Sequence, residues 1–503
     1  MNLETLTPIQ VRAELMRRSF EAFTTWAWPR ITGLGYVPNA ITTAIVDTLQ
    51  RVGDGELTRV AIACPPGVGK STLLACFAAW RLARNPAHRS IHGGHQHELA
   101  AKESRRVRRL VESDAYRMLF PAVQLRADEN TSARWTTTVD GHYTAVGVGG
   151  GLTGARALEA VVDDPLNAPD RFSAAVKEAM WLWFTEALST RLDGDRAPVL
   201  VIHQRLCPDD LIGRLLESDP DGWHLVELAA ESDTGELLAE NVLPRAKLDG
   251  LKKTLGSAAY ATQFLQRPAD DTTSIIRRDW WRYYGNGPVP TVALPDRFDR
   301  VVIAADLTFG SAKGDYAVVQ AWGSSGGGRY LLDQWRQRAG FEDSVVAIMA
   351  FAKRYPRAKV LVEKAANGAA VIETLQKRIP NVVPKTPLGN KAQRLSAIAP
   401  TVESGSCYLP ADAPWVGDFV EELAGATKHD DAADACAYAI HELDSAGHDV
   451  ERARKMLGMG AMLMEMANPW AIGPKIRPEA TLEEQIQDAK AFEFWEAMRR
   501  RGR

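Results

Sequence analysis

Arg59-Val-Ala-Ile-Ala63 followed by Cys64-Pro65-Pro66-Gly67-Val68-Gly69-Lys70-Ser71-Thr72 is the stretch that decides the fold of the first half of the chain. The short apolar run reads as a buried strand, and the residues from Leu73 to Arg84 read as a helix. Between them lies a phosphate-binding loop. Gly67 and Gly69 let backbone N–H groups turn onto phosphate oxygens, Lys70 reaches the terminal phosphates, and the Ser71 hydroxyl can ligate magnesium. Pro66, Val68 and Thr72 complete the set of nucleotide-contacting positions, and Cys64 stands where the full GxxxxGK[ST] pattern has its leading glycine. ATP with Mg²⁺ is the cofactor this loop implies.

A nucleotide hydrolase built on such a loop needs a strand-terminal acid to hold magnesium and a neighbouring carboxylate to orient the attacking water. Leu158-Glu-Ala-Val-Val-Asp163-Asp164-Pro165 supplies both, with Asp163 on the magnesium side and Asp164 as the catalytic carboxylate. The glycine-rich segment from Val146 to Arg156 reads as a mobile loop whose Arg156 is either a finger toward a nucleotide or a solvated partner of a nearby acid. Gln204 ends the apolar segment 198–204 and is a candidate sensor of the γ-phosphate, since ligands of such folds bind beyond the C-terminal ends of the strands. Strands expected over 59–63, 90–93, 157–164 and 198–204 alternate with helices, including a long charged one over 98–119. That order predicts a parallel sheet covered on both faces. Two helices, over 11–28 and 38–49, precede it.

From about residue 270 to 295 polar residues, Gly and Pro take over, as in a linker. Beyond it the pattern is strand 300–306, strand 316–323, strand 329–335, helix 345–354, strand 359–363 and a helix over 431–443. Acids fall at the ends of these elements: Asp306, Glu363, and Asp430, Asp431 and Asp434 at the start of the last helix. Carboxylates from separate elements are what two-metal phosphodiester cleavage requires, with two Mg²⁺ or Mn²⁺ ions about 4 Å apart. The order strand-Asp, hairpin strands, strand-Glu, helix-Asp is that of an RNase H-like fold. Asp306, Glu363 and Asp431 are the expected catalytic acids, and Asp430, Asp434 and Asp315 are further candidate ligands. Lys428 and His429 stand where a scissile phosphate could be contacted. The expected domains are an α/β P-loop ATPase over 1–268 with a lid over about 206–268, a linker over 269–298, an RNase H-like nuclease with a mixed sheet over 299–445, and a helical tail over 446–503.

Composition bounds the rest. The chain has 503 residues, enough for two to four domains at roughly 100 to 200 residues each. With 46% hydrophobic and 24% charged residues it is globular, and its apolar runs are too short to span a bilayer. Five scattered cysteines form no CxxC pair, which argues against a zinc knuckle or a disulfide framework. A net charge of -3 makes any nucleic-acid contact local. The histidines His88, His92, His95 and His97 lack a completing acid or cysteine for a metal site, and Arg105, Arg106, Arg108 and Arg109 read as a solvated helix face.

The chain resembles the large terminase subunit of tailed bacteriophages, the motor that packages double-stranded DNA. The resemblance rests on the Pro-Pro-x-x-Gly-Lys-Ser loop, Ser113 to Pro121, Leu152-Thr-Gly-Ala-Arg156, Val162 to Pro165, Gln263-Phe-Leu-Gln-Arg-Pro268, Asp306, Gly314-Asp315-Tyr316, Glu363 with Asn367-Gly368, and His429-Asp430-Asp431-x-x-Asp434-Ala435. It implies a ring, commonly a pentamer, on the portal protein at the procapsid vertex, a small terminase subunit that selects DNA, and work in the cytoplasm of an infected bacterium with no membrane stage. It also implies a nuclease that cuts concatemeric DNA. Two rival readings remain open: an RNase H-like transposase or resolvase with an accessory ATPase, and a non-catalytic portal-docking protein.

Overall fold

A computed structural model of the chain describes residues 7–268, 274–287, 289, 291–307, 316–364, 368–386, 389–425 and 431–445. Asp315, Asn367, Lys428, His429, Asp430 and the tail over 446–503 lie outside the described residues. Both halves of the chain described below belong to one compact unit, Met1–Ile440.

The first half is built on strands β1 (Arg59–Ala63), β2 (Arg89–Gly94), β3 (Leu125–Asn130), β4 (Arg134–Thr137), β5 (His142–Gly147), β6 (Glu159–Asp163), β7 (Val199–His203) and β8 (His224–Glu227). Its helices are α1 (Pro8–Arg18), α2 (Phe20–Thr32), α3 (Ala40–Gly53), α4 (Lys70–Arg84), α5 (His97–Glu112), α6 (Asp114–Leu119), α7 (Ala174–Leu182), α8 (Leu211–Ser218) and α9 (Arg245–Leu265). The strand order is β3-β4-β5-β2-β6-β7-β1-β8, parallel from β5 to β8 and antiparallel at the β3-β4 edge. Alternation along β1 shows the two covered faces. Val60 and Ile62 pack with Phe20, Phe23 and Phe77 of the helices on one side, whereas Ala61 and Ala63 pack with Met180, Trp183 and Phe184 on the other.

Two expected helices are each split by a serine. Ser19 Oγ accepts from Ala22 N at 3.1 Å, ending α1 and starting α2, and Ser113 Oγ accepts from Tyr116 N at 3.3 Å between α5 and α6. Helix α9 seals the ATPase half: Tyr260 and Phe264 join its core, and Gln266 Oε1, just past the helix, accepts from Arg205 N at 2.9 Å.

The second half contains β9 (Arg282–Tyr284), β10 (Thr291–Val292), β11 (Arg300–Asp306), β12 (Ala317–Ser325), β13 (Gly328–Gln337), β14 (Lys359–Glu363), β15 (Val382–Lys385) and β16 (Cys407–Pro410). They are ordered β10-β9-β16-β13-β12-β11-β14-β15, with β11-β12-β13 antiparallel and β11-β14-β15 parallel. Segment 282–292, expected to be linker, thus supplies two edge strands of this mixed sheet. Helices α10 (Phe341–Arg354), α11 (Gly368–Gln376), α12 (Lys391–Glu403) and α13 (Val416–Leu423) are followed by α14 over 431–445. Gln320, buried in β12, donates to Ala432 O at 3.0 Å and so fixes the start of α14 against the sheet.

Candidate nucleotide and nuclease sites

β1 ends at Ala63 and α4 begins at Lys70, so the loop between them crosses the C-terminal edge of the first sheet. Gly67 and Gly69 have φ of +79° and +91°, which only glycine adopts without strain. A Cβ at Gly69 would lie 2.6 Å from Trp28 Cη2, so α2 backs the loop too closely for any side chain there. Val68 is buried beneath the loop, while Pro66 is half-buried and Gly67 exposed.

The loop meets the end of β6 through two pairs. Lys70 Nζ lies 2.8 Å from Asp164 Oδ2, and the Ser71 hydroxyl donates to Asp163. Burial, then the neighbouring Asp164 charge, pushes Asp163 up to about 7. Asp164 itself has φ +45°, a left-handed kink at a non-glycine residue that turns its side chain toward Lys70. Asp163 Oδ1 and Asp164 Oδ1 are buried without a hydrogen-bond partner among the described residues. Buried carboxylate oxygens with nothing to bond, next to the Ser71 hydroxyl, are a donor set that fits magnesium. Cys64 is buried and its thiol is pushed up to about 12, chiefly by desolvation, so the position of the missing glycine carries no negative charge.

Around this centre the neighbours are mixed. His203 Nδ1 lies 2.6 Å from Gln204 O, and Gln204 Oε1 is buried and unpartnered among the described residues, as a γ-phosphate sensor in wait of a donor would be. The Thr72 hydroxyl, expected to face nucleotide, accepts from Arg106 Nη2 at 3.2 Å. Arg106 escaped the sequence reading because it sits in a run of arginines on an amphipathic helix. Arg156 precedes β6 and therefore lies at the N-terminal edge of the sheet, opposite the loop, where it is exposed and 3.5 Å from Asp193 Oδ1. The four histidines do not gather: His88 reaches the buried Glu159, and His92 stacks on Tyr143 at 4.1 Å.

In the second half, Asp306 ends β11 and Glu363 ends the adjacent parallel strand β14, so their side chains leave one sheet edge together. Asp431 and Asp434, one helical turn apart on α14, face them. Burial pushes the Asp306 carboxyl well above the usual range, and the charges of Asp434, Glu363 and Asp431 add to the effect. Each of the other acids already has a partner. Asp431 Oδ2 accepts from Tyr316 N at 3.2 Å, Glu363 Oε2 accepts from the Tyr438 hydroxyl at 3.1 Å, and Asp434 takes two bonds from Arg394, at 2.8 and 2.5 Å. Four carboxylates close enough to repel one another are the chemistry that divalent cations relieve. Among the described residues, however, no three His, Cys, Asp or Glu side chains are yet gathered tightly enough to hold an ion.

Two residues that the sequence reading missed hold α14 in place. Glu422 is fully buried on α13, accepts from Ala432 N at 2.7 Å and Ala433 N at 3.2 Å, and pairs with Arg336 at 2.7 Å. It is the N-terminal anchor of the helix that carries Asp431 and Asp434. The only sequence signal for it is an acid on the apolar side of an amphipathic helix.

Residues 303–443 match the family model described as the terminase RNaseH-like domain, which spans Asp306, Glu363, Asp431 and Asp434. The chain is a terminase protein. No curated protein sequence matches it. Among solved structures, the terminase is similar to the large terminase of a thermophilic bacteriophage, with 11% identity over 77% of this chain and 94% of that one and a TM-score of 0.48. It is similar also to the bacteriophage HK97 large terminase, with 13% identity over 81% and 96% of the two chains and a TM-score of 0.33. The large terminase nuclease of thermophilic phage G20c, in a structure with bound magnesium, is 21% identical over 34% of this terminase and 97% of that chain, with a TM-score of 0.28. No described helix of the terminase is long and apolar enough to cross a membrane.

Proposed function

We propose that this terminase is the large subunit of a phage DNA-packaging motor, hydrolysing ATP to move double-stranded DNA into a procapsid and cutting concatemeric DNA with a metal-dependent nuclease. The observation that carries the reading is the presence in one chain of two separate charged centres: Lys70 with Asp164 and Ser71 with Asp163 at the phosphate loop, and Asp306 with Glu363, Asp431 and Asp434 within the terminase RNaseH-like domain.

At the first centre, the backbone N–H groups of the loop and Lys70 bind the phosphates, Ser71 and Asp163 hold Mg²⁺, Asp164 orients water, and Gln204 faces the γ-phosphate. At the second, Asp306, Glu363, Asp431 and Asp434 hold two Mg²⁺ or Mn²⁺ ions. Bound there, the ions would supply an activated water and stabilise the leaving oxygen. The chain's own acids set where the ions sit and keep the scissile phosphate in line between them. In the same reading the protein works as a ring, commonly of five, on a portal protein with a small terminase subunit, in the cytoplasm of the infected host.

The test is one preparation assayed for both activities. DNA-stimulated ATP hydrolysis and Mn²⁺-dependent plasmid cutting are both expected. Lys70→Ala should remove only the first, and Asp306→Asn or Glu363→Gln only the second. Cutting without ATP turnover would favour a resolvase-like enzyme, and neither activity would favour a docking scaffold.

A further inference from the structure

Helix α12 touches both halves of the chain. Asn390, which caps it, donates to Phe172 O at 3.3 Å, Gln393 donates to Pro169 O at 2.7 Å, and Ser396 Oγ accepts from Arg171 Nη2 at 2.9 Å. These partners form the 3₁₀ turn Pro169–Phe172, a few residues beyond Asp163 and Asp164. At the far end of α12, Glu403 Oε2 accepts from Ser257 N at 2.8 Å, where α9 kinks at Gly256. Between these contacts Arg394 points the other way, into the nuclease centre. Its Nε and Nη2 bond the two oxygens of Asp434, its Nη1 donates to Gly389 O at 2.7 Å, and its side chain is nearly buried.

We propose that Arg394 is a built-in competitor for metal at Asp434, and that the seating of α12 on the ATPase half sets whether its guanidinium stays. This inference rests on the nuclease reading above. A guanidinium fork satisfies both oxygens of one carboxylate at once, and a divalent cation needs those same lone pairs. While the fork is in place, Asp434 cannot join Asp306, Glu363 and Asp431 around an ion, which accounts for acids that lie within repelling distance yet form no ligand cage. Gln393 and Arg394 are consecutive, so a shift of α12 with the turn after β6 carries the guanidinium along. The opposite role, an arginine that aims Asp434 at the metal, predicts the opposite sign.

Mn²⁺ binding to the full chain, measured by calorimetry without DNA, distinguishes the two. Arg394→Gln should tighten Mn²⁺ binding by about tenfold or more, the scale on which neighbours of metal ligands act. The double variant Arg171→Ala/Gln393→Ala, which loosens α12 from the ATPase half, should shift affinity in the same direction. Unchanged or weaker binding by a folded Arg394→Gln protein overturns the proposal. If that variant does not fold, the double variant decides alone, and unchanged affinity there overturns it. Asp306→Asn separates the two readings: if it binds Mn²⁺ as tightly as wild type, the nuclease centre itself is misplaced, whatever Arg394 does.

Discussion

Lys70 Nζ and Asp164 Oδ2 lie 2.8 Å apart, so the lysine that should meet phosphate is held by the acid that should orient water. ATP has to take Lys70 away from Asp164, and the acid thereby competes with the γ-phosphate while remaining necessary for hydrolysis. Two variants should therefore split. Asp164→Asn should bind ATP more tightly, by about three- to tenfold because the acid is partly exposed and screened, yet lose about 10² or more in turnover. Lys70→Ala should lose both. Fluorescent-nucleotide titration and phosphate release measure the two effects, and weaker ATP binding by Asp164→Asn would show that the pair does not compete with nucleotide.

His92 gives the ATPase half an acid sensitivity. Burial holds this imidazole neutral and lowers it to about 4, from an ordinary value near 6.5. The unfolded chain takes up a proton that the folded chain refuses, so the contribution to stability is complete above about 6.5 and is lost as the pH falls toward about 4. The full difference is about 3 kcal/mol. Thermal unfolding of the ATPase half should fall between about pH 7 and about pH 5, and His92→Phe, which keeps a ring against Tyr143, should flatten that slope. An equally steep slope in the variant would mean that His92 is not the group responsible.

The elements that place both sites were legible because each joins an apolar run to a functional end: β1 to the glycines, β6 to Asp163, β11 to Asp306 and β14 to Glu363. Strands β3 to β5 were not, since Leu125-Arg-Ala-Asp-Glu-Asn130 is polar and pairs only at a sheet edge. Nor could periodicity reveal the breaks at Ser19 and Ser113, where one hydroxyl ends a helix within an unbroken apolar pattern. Arg394 and Glu422 were illegible for a different reason. Each acts on α14 from another element, and nothing local in either sequence marks the partner.

Glu422 should matter to the nuclease half without touching DNA or metal. Its buried carboxylate carries the N-terminus of α14 and the Arg336 charge together. Removing one partner of a buried pair costs about 3–5 kcal/mol, because the other charge is left uncompensated. Glu422→Ala should lower the unfolding transition of the nuclease half by that amount and impair Mn²⁺-dependent cutting, with ATP hydrolysis retained. Glu422→Gln, which can still accept from Ala432 N, should do less harm. Full cutting by a destabilised Glu422→Ala protein would show that α14 keeps its acids in place without this anchor.

Arg156 is the remaining cation, and its place in the fold narrows what it can do. It sits before β6, at the sheet edge opposite its own phosphate loop, so it has no route to the nucleotide of the same chain. It is exposed and pairs at 3.5 Å with Asp193, which also binds Arg89 at 3.0 Å. An exposed pair of this kind holds Arg156 by about 1 kcal/mol or less, and the turns at Gly149 and Gly154, both with positive φ, flank the segment that carries it. Such a residue suits a finger offered to a neighbouring subunit, where it would stabilise charge on the transferred phosphoryl group and contribute about 10³ to 10⁵ in rate. Mixing Lys70→Ala subunits, which keep Arg156 but have no working site, with Arg156→Ala subunits, which have the reverse, should restore ATP hydrolysis that neither shows alone under assembly conditions. Asp193→Ala should leave hydrolysis intact, since it only frees the finger. Wild-type turnover by Arg156→Ala, or no recovery in mixtures shown to co-assemble, would return Arg156 to a surface ion pair.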